Sequence, residues 1–251
     1  MSAPCPSPLL AFILMFASFS VQADEIQLAV AANFTGPMKL ISAEFEKDSG
    51  HKVLMTSGAT GKFYAQIASG APFEVFLSAD DETPAKLEKE GAAVQGSRFT
   101  YAIGKLVLWS AQPDRVDAGG DVLRKGNFDK LAIAAPKFAP YGAAAVETMR
   151  QLGVLTAIER KLVTGESLGQ TFSFVSSGNA ELGFVALSQV YEAGRIKSGS
   201  AWIVPENLYS PIRQDAVLLA KGKDSRAARQ LLTFLKNEKS KAVIRAFGYA
   251  L

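Results

Sequence analysis

The chain has 251 residues, a formal net charge of +3 and 48% hydrophobic residues. A positive charge this small and this dispersed argues against nucleic acid or an acidic membrane surface as the partner. With a single cysteine, Cys5, the chain has no disulfide framework, so its fold must depend on a hydrophobic core.

The first residues have the pattern of a secretory signal. An apolar run over residues 9–19 is too short to span a bilayer, and Val21-Gln22-Ala23 fits a small-x-small cleavage site. We therefore predict that residues 1–23 are a signal peptide cleaved near Ala23 and that the mature protein is exported. Because this segment has no Lys or Arg, an N-terminal membrane anchor is the alternative.

Two strand, turn, helix units follow. The apolar run 25–31 ends at Ala32 and Asn33, and helical spacing over residues 38–49 stops at Gly50. The run 52–56 ends in the turn 57–61, which contains Thr60, and a second helix begins. Both turns offer backbone N–H groups, a hydroxyl or an amide at the positive end of a helix dipole. This chemistry suits an anion.

Polar residues near these units have simpler interpretations. His51, the only histidine, lies between a helix and a strand, and we interpret it as a solvated turn residue. Asp80 and Asp81 follow a predicted strand at 74–77 and precede Pro84. We interpret this acidic pair as residues that stabilise the N-terminus of the following helix rather than as a metal or acid/base site.

The second half of the chain repeats the same pattern. A long strand at 101–110 with a glycine inside it is predicted to cross into a second lobe. Further strands, turns before helices and a second crossing strand are predicted after it, at 131–136, 139–142, 161–164, 166–169, 182–186 and 214–220. Two helices, at 225–236 and 240–247, end the chain.

Alternating strands and amphipathic helices predict an α/β fold. We expect two lobes, each a mostly parallel sheet flanked by helices, joined by two crossing strands. Residues 24–103 and 217–251 form lobe I in this prediction, and residues 104–216 form lobe II. Turns with free hydrogen-bond donors for an anion, present in both halves of the chain, are typical of a hinged binding protein.

Two motifs suggest enzymes but lack the necessary partners. The segment 165–169 matches Gly-x-Ser-x-Gly, yet no histidine follows residue 51 to complete a hydrolase triad. The segment 58–62 is too short for a phosphate loop, and Phe63 stands where Ser or Thr would reach magnesium. We therefore expect no enzyme activity, no catalytic residue and no metal held by protein ligands.

Several runs distributed over the whole mature chain together resemble the periplasmic molybdate-binding proteins of ABC importers. They are AANF (31–34), SGATG (57–61), GAPFEVFLSAD (70–80), GSRFTYAIGKLVLWS (96–110), APYG (139–142), LGFVALSQ (182–189) and FGY (247–249). The resemblance implies a type II periplasmic binding fold that closes on molybdate or tungstate. It also implies a periplasmic location and delivery of the ligand to a membrane permease.

The resemblance also implies which residues bind the oxyanion. In the first lobe, the family's hydroxyl or amide position falls on Asn33, preceded by Ala32 where some members have Thr. Its second hydroxyl falls on Thr60. In the second lobe, Tyr141 and Leu168 take the positions that give backbone N–H groups. The site needs only donors, because a tetrahedral dianion offers only acceptors.

One position departs from part of the family. A branch adds a tyrosine hydroxyl after the Leu-Gly-x-Val strand, and this chain has Ala186 there. The chain resembles the branch that uses the first-lobe amide instead. Beyond molybdate or tungstate and the permease we expect no cofactor and no nucleic acid partner, and we expect a monomer.

Two other functions fit the sequence less well. The first keeps the fold but binds sulfate, phosphate or a small organic acid, since a fold does not fix its ligand. The second is a secreted enzyme acting on phosphate or sulfate esters. The size of the bound ligand distinguishes a sulfate, phosphate or organic-acid binding protein from a molybdate-binding protein. A turnover assay with esters distinguishes an enzyme from a binding protein.

Overall fold

The computed structural model describes residues 24–192 and 194–251, so the predicted signal peptide at 1–23 lies outside the described residues. Two lobes are present, each built on a five-stranded sheet. Among the described helices, none has both the length and the apolar character that crossing a bilayer requires.

Lobe I begins with three strand-helix units. In chain order its elements are β1 (Glu25–Ala31), a short 3₁₀ helix (Ala32–Phe34), α1 (Thr35–Ser49), β2 (Lys52–Gly58), α2 (Thr60–Ala68), β3 (Val75–Leu77), α3 (Glu82–Lys89) and β4 (Phe99–Gly104).

Lobe II follows without a break, and the chain then returns to lobe I. The lobe II elements are β5 (Leu106–Ser110), α4 (Val122–Lys125), β6 (Leu131–Ala134), α5 (Pro140–Gln151), α6 (Leu155–Ile158), β7 (Leu162–Gly165), α7 (Leu168–Ser176), β8 (Leu182–Ala186), α8 (Leu187–Val190), β9 (Tyr191–Glu192), β10 (Arg195–Ile196) and β11 (Ser200–Ile203). The returning elements are β12 (Ile212–Leu218), α9 (Arg226–Leu235) and α10 (Glu238–Ala246).

Both sheets are mixed, with parallel strands at one side and crossing strands at the other. The order in lobe I is β2-β1-β3-β12-β4, in which β1 is parallel to β2 and β3 while β12 is antiparallel to β3 and β4. The order in lobe II is β11-β5-β8-β6-β7, with β6 parallel to β7 and β8 and β5 antiparallel to β8 and β11. The two-lobed α/β prediction is confirmed, but the sheets are not mostly parallel, because β12, β4, β5 and β11 pair antiparallel with their neighbours.

The predicted strand 101–110 is in fact two strands. It breaks at Lys105, so that β4 belongs to the lobe I sheet and β5 to the lobe II sheet. The small strand β11 was not predicted; it pairs antiparallel with β5 at the edge of the lobe II sheet. The proposed domain limits at 103/104 and 216/217 stay a prediction.

Hydrophobic periodicity explains the lobe I core. Strand β1 has Ile26, Leu28 and Val30 with no exposed surface, and α1 buries Met38 and Phe45 against it. Each such side chain contributes about 1.5–3 kcal/mol when fully buried. The opposite face of the sheet is covered by a second cluster around Phe63 and Phe76, so both faces of the lobe I sheet are buried.

The interpretation of His51 as a solvated turn residue is wrong. His51 is only 6% exposed, its Nδ1 accepts from the Asp24 N–H at 3.2 Å, and its Nε2 lies 2.9 Å from Gln230 Oε1. Because Nδ1 accepts, Nε2 carries the proton and donates to Gln230. His51 therefore joins the start of β1 to α9, a contact between distant segments that its sequence position does not reveal.

Candidate anion-binding site

A small pocket lies between the two lobes, where turns from both sheets meet. The space between its lining atoms, counted out to open solvent, is about 210 Å³. All the residues predicted for the site line it together, although they come from four separate segments: Ala32, Asn33, Thr60, Tyr141 and Leu168. The other lining residues are Ala31, Gly58, Ala59, Ala79, Ala139 and Pro140.

Each segment reaches the pocket at the start of a helix. Thr60 is the first residue of α2, Tyr141 the second of α5 and Leu168 the first of α7, while Ala32 begins the 3₁₀ helix. In a helix, each N–H donates to the carbonyl four residues earlier in the chain. The first N–H groups have no such carbonyl within the helix. In the part of the chain that the structure describes, the Thr60, Tyr141 and Leu168 N–H groups donate to no backbone carbonyl outside their helices.

Thr60 adds a side-chain donor to these backbone groups. It is 2% exposed, and its Oγ1 accepts from the Ala79 N–H at 3.0 Å. A hydroxyl that accepts one hydrogen bond still carries its own proton. Since the backbone contact uses one lone pair of Oγ1 and fixes its position, the O–H remains free to donate to a bound acceptor.

The Asn33 side chain differs from the prediction. Both hydrogens of its amide are used within the protein, because Nδ2 donates to Gln214 Oε1 at 2.7 Å and to Tyr249 Oη at 3.0 Å. Asn33 is 3% exposed. As the structure stands, the amide is therefore not a free donor, and the donor remaining at this position is the backbone N–H at the start of the 3₁₀ helix.

The Tyr141 side chain also forms its hydrogen bond within the protein. Its phenol oxygen accepts from Gln214 Nε2 at 3.0 Å, and the residue is 1% exposed. Burial raises the pKa of the Tyr141 phenol well above its usual value of 10. The phenol therefore stays neutral at physiological pH.

Leu168 is held by the turn that precedes it. Ser167 is the N-cap of α7, and its Oγ accepts from the Gln170 N–H at 3.3 Å. The Gly-x-Ser-x-Gly match is therefore a helix cap. Gln189, a residue that we did not predict, donates from Nε2 to the Leu168 carbonyl at 3.3 Å and accepts from the Ala186 N–H at 3.1 Å.

Ala186 itself is absent from the pocket lining. It is fully buried at the end of β8, and its N–H is bonded to Gln189. The departure from the tyrosine-bearing branch thus leaves no side-chain donor at this position.

The residues lining the pocket include no ionisable side chain other than the Tyr141 phenol. Asp80, next to the lining residue Ala79, turns to α3 instead: Oδ1 accepts from the Thr83 N–H at 2.9 Å and from Ser78 Oγ at 3.0 Å. Burial raises the pKa of the Asp80 carboxyl. The described residues contain no group of three or more His, Cys, Asp or Glu side chains suited to a metal ion.

Contacts between the lobes close the rim of the pocket. The Gly61 N–H donates to the Phe138 carbonyl at 2.9 Å, and Lys62 Nζ lies 2.6 Å from Glu166 Oε2. A Cβ at position 61 would lie 3.0 Å from Phe138 Cα, so glycine allows this approach. Because Lys62 follows Thr60 closely and Glu166 precedes Leu168, the ion pair joins the two turns that line the pocket.

The chain is similar in sequence to known binding proteins over most of its length. The family model described as "Bacterial extracellular solute-binding protein" matches residues 26–250. The chain is 62% identical to the molybdate-binding protein ModA of Azotobacter vinelandii over 232 residues, covering 92% of each sequence. It is 53% identical to ModA of Rhodobacter capsulatus, over 94% of this chain and 92% of the relative.

A solved structure is similar over nearly the same extent. The periplasmic molybdate-binding protein of Azotobacter vinelandii superposes with a TM-score of 0.87 at 44% identity, covering 90% of this chain and 99% of that structure. The residues matched by the family model, 26–250, include both lobes and every turn that lines the pocket.

Proposed function

Because the chain belongs to the family of bacterial extracellular solute-binding proteins, we propose that it binds molybdate between its two lobes and delivers it to an ABC-type permease. The relatives that support this proposal are named molybdate-binding proteins and match over 92% or more of the chain. We propose a periplasmic location as well, in line with the periplasmic protein whose structure it matches.

One observation carries the proposal: helix starts from both lobes meet at one pocket whose lining offers hydrogen-bond donors and no carboxylate. A molybdate dianion has four oxygens that only accept at neutral pH. Unpaired N–H groups at helix starts bind anions through direct hydrogen bonds and through the helix dipole. Such a pocket stabilises a dianion without a Lys or Arg side chain.

We assign the contacts residue by residue. Thr60 donates from its hydroxyl, and Tyr141 and Leu168 donate from their backbone N–H groups. Ala32 and Asn33 contribute the backbone of the first turn, while the Asn33 amide holds that turn in place. Hydrogen bonds to a charged group contribute about 1.5–3 kcal/mol each, so a few such donors suffice for tight binding.

Size is the proposed basis of selectivity. Molybdate and tungstate have the same charge and nearly the same shape, whereas sulfate is smaller. Donors held in place by helix starts cannot all reach a smaller anion. Each donor left without a hydrogen bond in a buried pocket lowers the binding affinity. We therefore propose that tungstate binds about as well as molybdate and that sulfate binds much more weakly.

Native mass spectrometry and calorimetry test this function. The mature protein should carry one molybdate per chain, and titration should give similar affinities for molybdate and tungstate. Sulfate and phosphate should bind at least about a hundredfold more weakly, a difference of about 2.7 kcal/mol. Sulfate or phosphate affinity equal to that of molybdate would identify a different oxyanion, and binding of none of these anions would overturn the proposal.

A further inference from the structure

The side chain of Gln214 bonds to both lobes directly behind the pocket. Gln214 lies on β12 in the lobe I sheet and has no exposed surface. Its Oε1 accepts from Asn33 Nδ2 at 2.7 Å and lies 3.0 Å from Tyr101 Oη, while its Nε2 donates to Tyr141 Oη at 3.0 Å. A single amide therefore contacts a turn from each side of the cleft.

The two bonded turns are two of the four that line the pocket. Asn33 belongs to the first turn of lobe I and Tyr141 to the start of α5 in lobe II, and both residues line the pocket, whereas Gln214 does not. The distance between these turns fixes the distance between their N–H groups. Gln214 spans that distance.

The backbone around Gln214 is shaped for this contact. The pairing of β12 with β4 shifts register between Gln214 and Asp215, an irregularity of the kind that re-aims a side chain. On the neighbouring strand, β4 ends at Gly104, which pairs with Ile212, and any Cβ there would overlap the Tyr141 hydroxyl. The glycine that sequence analysis noted inside the crossing strand thus makes room for the phenol.

Further hydrogen bonds hold Asn33 in place. Its carbonyl accepts from Ser188 Oγ at 2.8 Å and from Tyr249 Oη at 2.9 Å. Ser188 comes from lobe II and Tyr249 from the C-terminal segment of lobe I. We call the six residues of this network the Gln214 cluster: Asn33, Tyr101, Tyr141, Ser188, Gln214 and Tyr249.

We propose that Gln214 is a positioning residue that sets the spacing of the Asn33 and Tyr141 turns and thereby tunes the pocket to the size of its anion. The proposal rests on the oxyanion-binding function proposed above. Gln214 acts through Asn33 and Tyr141 and does not touch the ligand. Buried hydrogen bonds in a low-dielectric network are directional and strong, so losing them loosens the geometry that they hold.

Gln214→Met tests the proposal, since methionine has similar length and no hydrogen-bonding amide. We expect the molybdate Kd to rise about tenfold, mainly through a faster dissociation rate in stopped-flow displacement. Sulfate, which does not fit the full set of donors, should change by less than about threefold. The ratio of molybdate to sulfate affinity should therefore fall, a result that a general loss of stability would not produce.

Gln230→Met is the matched control. Gln230 is a partly buried glutamine whose Oε1 accepts from His51 Nε2 at 2.9 Å, within lobe I and away from the pocket. Its substitution should lower the melting temperature of the free protein and leave both anion affinities unchanged.

Tyr141→Phe provides a second test that removes one hydroxyl only, and it remains available if Gln214→Met does not fold. Tyr141→Phe should raise the molybdate dissociation rate by a smaller factor than Gln214→Met does. The double variant should bind no more weakly than Gln214→Met alone, because both changes break the same hydrogen bond. Multiplied effects, or a wild-type dissociation rate and selectivity in either single variant, would overturn the positioning role.

The two proposals fail in different ways. If the wild-type protein does not bind molybdate, the proposed function is wrong. If the wild-type protein binds it tightly and the Gln214 and Tyr141 variants keep both its dissociation rate and its selectivity, only the role of Gln214 is wrong.

Discussion

The interlobe pocket and the Gln214 cluster are adjacent polar regions that use their hydrogen-bond donors in opposite ways. In the cluster, side chains bond to one another: both Asn33 amide hydrogens, the Gln214 amide and the Tyr249 phenol have protein partners. In the pocket, N–H groups at helix starts have no backbone acceptor among the described residues. Unpaired donors mark the place for a ligand, and donors bonded within the protein mark the framework that holds it.

The comparison also bears on Asn33, whose amide we expected to contact the ligand, and on Tyr141, of which we assigned only the backbone N–H to the ligand. Each belongs to both regions, because its backbone lines the pocket while its side chain enters the cluster. A polar side chain beside a ligand site is therefore not necessarily a ligand contact. The predictions below separate the two regions, in order of decreasing effect.

Asn33→Asp should have the largest effect, because it damages both regions at once. A carboxylate has no N–H for Gln214 Oε1 or Tyr249 Oη, and its buried charge behind the pocket would repel a dianion. We expect molybdate affinity to fall at least about a hundredfold by calorimetry.

Asn237→Asp is the control for the added charge. Asn237 caps α10, where its Oδ1 accepts from the Ser240 N–H at 2.8 Å, and aspartate caps a helix equally well. Its affinity should match the wild type. Wild-type affinity in Asn33→Asp would show that the first turn lies outside the anion site.

Thr60→Val tests the pocket rather than the cluster, since the hydroxyl of Thr60 bonds to Ala79 and, among the described residues, to no member of the Gln214 cluster. Removing the hydroxyl at nearly constant shape should cost about 2 kcal/mol of binding free energy, about thirtyfold in Kd. The free protein also loses the acceptor for the Ala79 N–H, so its melting temperature should be measured in parallel.

Thr148→Val serves as the matched control. Thr148 is another fully buried threonine, and its hydroxyl donates to the Ala144 carbonyl at 2.8 Å within α5, outside the pocket lining. It should lower stability without changing affinity. Equal affinities for the two threonine variants would remove Thr60 from the site.

Glu166→Gln tests the ion pair at the pocket rim. Lys62 and Glu166 are exposed, and such pairs contribute little because water and salt screen them. We expect the molybdate dissociation rate to rise by less than about threefold at low salt, with no difference from wild type at about 1 M salt.

Glu238→Gln removes a similar exposed ion pair, with Lys241 at 2.8 Å, that lies within α10 and does not cross the cleft. It should not change the dissociation rate at any salt concentration. A large, salt-independent effect of Glu166→Gln would instead indicate a direct role of Glu166 in the pocket.

pH should have the smallest effect. Burial raises the pKa of Tyr101 and Tyr141 well above 10 and that of Tyr249 to about 12. Molybdate affinity should therefore stay constant between about pH 7 and about pH 9, because the cluster phenols remain protonated throughout. Calorimetry across this range checks the expectation, and a titration of affinity near neutral pH would contradict it.

The same shifts predict how stability changes with pH. A phenol whose pKa is higher in the folded protein stabilises it fully below the unfolded value of about 10, and this contribution is lost as pH rises through the folded value. For Tyr249 the loss should occur between about pH 10 and about pH 12. Denaturant melts at several pH values measure it.

The sequence determined the order of the elements and the location of the turns. Hydrophobic periodicity located α1 and β8, and Gly50 marked the end of α1, because these signals act over a few neighbouring residues. Small and polar turns before helices indicated anion chemistry for the same reason, since the free N–H groups of a helix start follow from local geometry.

Tertiary structure alone decided how the side chains are used. His51, Asn33 and Tyr141 bond to Gln230 and Gln214, partners that are 179, 181 and 73 residues away. No local pattern encodes such a partner, because it depends on where the crossing strand β12 and helix α9 pack after folding. Whether a buried polar group is free for a ligand depends on that packing, and so the resemblance in sequence indicated the residues of the pocket lining but not that the Asn33 amide is bonded within the protein.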